Sequence, residues 1–166
     1  GGVGLAAVEI GKAMGATVIA TASSAEKLAI AKEHGADHVI DYNREDVVAQ
    51  ILEITSGRGV DAVQAAVDPT TADEGIRALA FGGAISCIAG LPTLDEDTFA
   101  RAISLHKISL GAAHPSNNRD AQLDLARMAQ EMIGMVAAGQ IDPMIEQRTD
   151  LAGVPEGLAQ LETRHV

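Results

Sequence analysis

The chain opens GGVGLAAVEIGKAMG and, after the apolar run TVIATA, continues SSAEK. Glycines at positions 1, 2 and 4 let a ligand approach the backbone closely. A helix starting there offers unpaired N–H groups and a partial positive charge. That chemistry suits a phosphate, and above all the pyrophosphate of a dinucleotide. A site preferring NAD places a carboxylate about 20 residues further on to hold the ribose 2′-OH. Here the sequence reads Ala22, Ser23 and Ser24, with Lys27 one turn later. Two hydroxyls and an ammonium suit a 2′-phosphate. One charge-assisted hydrogen bond is worth roughly 1.5–3 kcal/mol, about a 10- to 100-fold preference for NADP(H). The plainer alternatives are a helix cap for Ser24 and a solvated face for Lys27. Tyr42, the only tyrosine, follows the run HVID and falls where the adenosine end of a dinucleotide would rest. An ordinary surface tyrosine is the alternative there.

No other residues assemble into a catalytic or metal-binding pattern. His34, His38, His106, His114 and His165 show no metal-ligand spacing, and His34 and His38 straddle Gly35. Ser104 and Ser109 lie in no nucleophile-elbow pattern. Cys87 is the single cysteine, so neither an internal disulfide nor a multi-cysteine zinc site can form. Its setting, GGAISCIAG, is that of a buried, inert thiol. Twelve basic residues against 23 acidic ones give a formal charge of −11, and no basic run offers a surface to nucleic acid. No apolar run approaches the roughly 20 residues that span a bilayer, and no signal-peptide pattern is present. The expectation is a cytoplasmic protein with no membrane partner.

The elements that must position these residues are punctuated by glycine. Gly15, Gly35, Gly59 and Gly83 each precede a short apolar run, and each run is followed by a polar segment of helical spacing. With 47% apolar residues but only 2% aromatic, the core is built from Ala, Val, Ile and Leu, the usual filling of a parallel sheet between helices. The pattern predicts helices over 3–14, 25–33, 45–55, 73–80, 98–105 and 120–138, with a short last helix within 151–162. Strands are predicted over 17–22, 38–40, 61–67 and 84–88, and from Ile108 to Ala112. Ser24 and Asn43 are the expected caps. Alternating strands and helices imply an α/β, doubly wound parallel sheet, the Rossmann architecture. After Gly139 the sequence gains prolines and loses periodicity, which divides it into a dinucleotide-binding part, 1–139, and a segment leaving it, 140–166.

The stretch GGVGLAAVEIGKAMGATVIATASSAEKLAIAKEHGADHVIDYNRED resembles the cofactor domain of the medium-chain dehydrogenase/reductase superfamily, above all its quinone oxidoreductase branch. GRGVDAV, IRALAFGGAISCIAG, HKISLGAAHPS and MVAAGQIDP extend the resemblance along the chain. It implies that Gly2 and Val3 hold the pyrophosphate and that Ser23, Ser24 and Lys27, beside Tyr42, form a 2′-phosphate pocket. Ala89, Gly90 and Leu91 would line the nicotinamide, with Ala113 and His114 near its mouth. Asp68 and Pro69 depart from the family pattern, which commonly has glycine there. The implied reaction is hydride transfer between NADP(H) and a small carbonyl or quinone substrate, with no catalytic residue and no metal ligand in this segment. It also implies a chain clipped at both ends. Such a piece would lack a first and a last strand, and by itself would be poorly stable and aggregation-prone. A homodimer is expected, paired through the edge strand from Ile108 to Ala112. Zinc-dependent alcohol dehydrogenases, a non-catalytic dinucleotide-binding protein and, remotely, a Rossmann methyltransferase are the competing readings.

Overall fold

The computed structural model describes residues 1–145 and 147–162; His165 lies outside them. Helix α1 (Gly2–Ala13) is followed by strand β1 (Ile19–Ala22), α2 (Ala25–Glu33), β2 (His38–Asp41), α3 (Val47–Ile54) and β3 (Val60–Ala65). Then come α4 (Pro69–Ala78), β4 (Leu79–Cys87), α5 (Glu96–Ala100), β5 (Ser104–Lys107), α6 (Arg119–Ala137) and α7 (Val154–Glu162). Short 3₁₀ turns, Leu110–Ala113 and Leu151–Gly153, precede the last two helices.

All strand pairs are parallel, as helical crossovers require. One sheet has the order β1-β2, with Ala22 opposite Asp41; the other has the order β3-β4-β5. The core divides accordingly. Val8 of α1 and Ala31 of α2 pack with Val18, Ala20 and Val39. Ile76 of α4 packs with Ile85 and Cys87 of β4, both fully buried. Between the two sheets, Ile51 of α3 packs with Ile19, Ile40 and Val60, so one helix draws on both.

Local chemistry starts the helices. Ser24, Asp46, Asp68, Asp95 and Asn118 each accept a hydrogen bond from a backbone N–H in the first turn. Asp68 and Thr71 form a reciprocal capping box, with Pro69 at the first helical position. The departure at Asp68 and Pro69 is thus a strong helix start. Gly59 turns into β3 with φ +83°, and a Cβ on it would come within 2.7 Å of the Ala78 carbonyl oxygen. Only glycine fits there.

The structure corrects several expectations. The helix expected over 73–80 ends at Ala78, and the strand expected over 84–88 already begins at Leu79, with Gly83 inside it. Asn43 does not cap α3; Asp46 does, because the chain first makes a turn in which Asp41 O accepts from Arg44 N and Glu45 N. The helix expected over 98–105 stops at Ala100, where the chain turns through Ala102 at φ +55° and re-enters the sheet as β5. The stretch from Ile108 to Ala112 is therefore no edge strand. Ser104–Lys107 pairs with β4 instead, with Ala84 opposite Ser104, and the following residues wind into the 3₁₀ turn.

One link joins distant parts of the chain. Glu9 Oε1 lies 2.8 Å from His34 Nδ1 at the end of α2, and Glu9 Oε2 accepts the Asp142 N–H at 2.7 Å.

Candidate functional site

Helix α1 is laid along the first sheet by its C-terminal end. Lys12 Nζ donates to Ala16 O and to both oxygens of Asp37, just before β2, and Gly11 meets Val18. The N-terminal end of α1 therefore lies on the side where β1 and β2 end. In a parallel α/β sheet this is the side where ligands bind.

At that N-terminus, Gly1 O accepts from Gly4 N and Leu5 N. The N–H groups of Gly2 and Val3 precede the first helical hydrogen bonds and have no carbonyl to meet. Nothing lies within 4 Å of where a Cβ would sit on Gly1, Gly2 or Gly4, and Val3 is exposed. Among the described residues, packing therefore places no demand for glycine at these positions.

Beyond β1, Ser23 and Ser24 are half-buried and Lys27 is exposed. Ser24 Oγ accepts the Lys27 N–H at 3.3 Å. The expected cap is real, yet it uses a lone pair of the hydroxyl and leaves its proton free to donate. Cap and phosphate ligand are thus compatible roles for Ser24. Beyond β2, Tyr42 is 53% exposed, and its N–H donates to Ala22 O at 3.2 Å. Ser23, Ser24 and Tyr42 are accordingly brought together at the joint end of two paired strands. Two further residues of the same turn stand beside them: Asn43, expected only as a helix cap, and Arg44, which the sequence did not single out. Asn43 Nδ2 donates to Ser23 O at 2.9 Å, and Arg44 adds a cation whose Nε lies 3.6 Å from Asp41 Oδ2. A contact from Asn43 across 20 residues leaves no local signal.

The residues expected to line the nicotinamide follow β4. Ile88 N donates to Ala65 O, and Ile88 O accepts from Lys107 Nζ at 2.9 Å, so the strand end is held from both sides. Ala89, Gly90 and Leu91 follow without regular structure, and Leu91 is half-exposed. Burial pushes the Cys87 thiol up, against a smaller opposing pull from the charge of Lys107, as expected of an inert thiol. Ala113 ends the 3₁₀ turn after β5 and His114 follows it, and Gln122 Nε2 donates to the carbonyls of both. No group of three His, Cys, Asp or Glu residues able to hold a metal occurs among the described residues. No helix among them is long and apolar enough to cross a membrane.

The donors therefore fit a dinucleotide: open glycine N–H groups for a pyrophosphate, and hydroxyls with a cation for a further anionic group. The chain is similar to several known proteins. A quinone oxidoreductase of Pseudomonas aeruginosa is 32% identical over 99% of this chain and 51% of its own length. An NAD-dependent alcohol dehydrogenase of Saccharolobus solfataricus is 34% identical over 98% of the chain and 45% of its own length. The chain thus spans about half the length of these relatives. The solved quinone oxidoreductase of Pseudomonas syringae pv. tomato superposes with a TM-score of 0.80 at 29% identity, over 100% of this chain and 51% of that one. A mycobacterial protein complexed with NADPH superposes with a TM-score of 0.71 at 29% identity, over 85% of this chain and 45% of that one. The family model described as zinc-binding dehydrogenase matches residues 2–131. With its parallel α/β sheets, the chain belongs to the zinc-binding dehydrogenase family.

Proposed function

We propose that this chain supplies the cofactor-binding half of an NADP(H)-dependent reductase acting on a quinone or a conjugated carbonyl. The observation that carries the reading is the donor set at the joint end of β1 and β2. Ser23, Ser24, Lys27 and Tyr42 stand there, with Ala22 where a carboxylate would select NAD. In this reading Gly2 and Val3 N–H groups hold the pyrophosphate, and Ser23, Ser24 and Lys27 hold the 2′-phosphate. The turn formed by Ala89, Gly90 and Leu91 lines the nicotinamide with backbone. Bound, the nicotinamide supplies the hydride chemistry; the chain supplies position and charge. The NADPH-complexed neighbour supports the cofactor, and the relatives described as quinone oxidoreductases support the substrate class.

The NAD-dependent alcohol dehydrogenase relative favours a second reading, an NAD-using alcohol dehydrogenase. Titration of the full-length protein with NADPH and NADH, followed by fluorescence, separates the two. NADPH binding at least tenfold tighter than NADH, with turnover of quinones and no stoichiometric zinc, is expected. Equal or reversed preference overturns the proposal, and bound zinc with alcohol turnover establishes the alternative. Tight binding with no turnover of any carbonyl acceptor would mark a non-catalytic dinucleotide-binding protein. Self-association as a homodimer in the cytoplasm remains part of the proposal, without the strand first expected to mediate it. Sedimentation of the full-length protein as a monomer would remove the dimer.

A further inference from the structure

Asn43 makes a contact that neither a cap nor a surface loop explains. Its side-chain amide donates to the Ser23 carbonyl at 2.9 Å, across from one strand end to the next. Its own N–H donates to Asp41 Oδ1 at 3.0 Å, and the neighbouring Tyr42 N–H reaches Ala22 O. Two rungs, one backbone and one side chain, therefore tie residues 42–43 to residues 22–23. Glu45 Oε1 closes the turn by accepting the Asp41 N–H at 2.9 Å.

The Ser23 carbonyl belongs to the peptide group that joins Ser23 to Ser24. Fixing that oxygen fixes the plane of the peptide. It thereby restrains ψ of Ser23 and φ of Ser24, and with them the directions of the two hydroxyls. It also keeps a carbonyl acceptor engaged beside the place where an anion would bind. Free of that bond, the peptide could rotate and present its oxygen to the anion, with like partial charges opposed.

We propose that Asn43 is a positioning residue for coenzyme selection: through the Ser23 peptide it presets the Ser23 and Ser24 hydroxyls for the ribose 2′-phosphate. This rests on the NADP(H) reading above. Asn43 itself does not touch the coenzyme in this account. Its loss acts on the 2′-phosphate contacts and leaves the remainder of the dinucleotide bound as before.

The test uses the full-length protein, with NADPH and NADH dissociation constants measured for the parent, Asn43→Ala and Asn43→Asp. Alanine removes the amide. Aspartate keeps the size and the turn but cannot donate to Ser23 O. The expected result for Asn43→Ala is an NADPH Kd raised about fivefold, the scale of one hydrogen bond, with the NADH Kd unchanged within twofold. Asn43→Asp is expected to lose at least as much for NADPH, with the parent's melting temperature retained as a check on folding. Unchanged NADPH affinity in both variants overturns the proposal. So does an equal weakening of both coenzymes, which marks a purely structural loop. A parent with no NADPH preference removes the pocket itself and this proposal with it. A parent that prefers NADPH, with variants that keep the preference, removes only the role of Asn43.

Discussion

Gly90, in the turn after β4, packs directly against Pro69, the first residue of α4. A Cβ on Gly90 would lie 2.7 Å from both Cδ and Cγ of Pro69 and 2.8 Å from its nitrogen. The glycine is required because a neighbouring helix begins where its side chain would be. Gly90→Ala should push the 89–91 turn away from α4, at a cost of about 1–3 kcal/mol typical of overpacking. Thermal melts of the full-length variant should show a lowered midpoint, and titration should show weaker coenzyme binding. Pro69→Ala in the same background should rescue only in part, because the backbone nitrogen at position 69 stays in place. An unaltered midpoint with unaltered binding would mean that the turn is free to shift.

Lys27 stands exposed in the first turn of α2, its N–H already given to Ser24. Removing its ammonium while keeping the backbone leaves that cap intact. Lys27→Ala should therefore raise the NADPH Kd about tenfold, the scale of one hydrogen bond to a charged group, and hardly move the NADH Kd or the melting temperature. Equal effects on both coenzymes would assign Lys27 to the pyrophosphate or to the surface.

Asp37 should govern part of the acid stability. The hydrogen bond from Lys12 holds its carboxyl below the usual carboxylate range, with a smaller contribution from the Val18 N–H. A depressed value in the folded state means that folding favours the ionised form. The stabilisation is present in full above the unfolded carboxyl's range and is lost as the pH falls through the folded value. Asp37→Asn should melt below the parent at pH 7, and the gap should close in acid. A gap that stays constant down to low pH would assign the loss to geometry alone.

Cys87 is fully buried, and burial pushes its thiol up. A thiol reagent at neutral pH should leave it unmodified in the native protein and react in denaturant. Rapid modification of native protein, with coenzyme binding lost, would show the end of β4 opening on its own.

Much of the fold was legible because helix starts and stops are written locally. Ser24 before α2 and the glycines after α1 and α2 announce their elements within a few residues, so those bounds agree closely. Where the outcome depended on partners elsewhere, the local signal misled. Residues 98–105 have a helix start in Asp95 and Thr98, yet the helix ends at Ala100 because Ala84–Cys87 offers a parallel edge to Ser104–Lys107. The apolar run that follows reads equally well as a strand, and only that register decides otherwise. The site shows the same division. Ser23, Ser24 and Tyr42 were visible by type and spacing, whereas Asn43 resembles a cap, and its partner lies 20 residues earlier.

The two oxygens of Glu9 hold elements that the chain places far apart: His34 ends α2, and Asp142 lies 133 residues beyond Glu9. Closing so long a loop carries an entropic cost that grows only slowly with length, but the contact cannot form until both ends exist and meet. The Asp142 amide is therefore a natural clock for hydrogen–deuterium exchange. Its protection begins when the stretch after α6 settles against α1, and its loss marks that stretch peeling away while the sheets beneath stay folded.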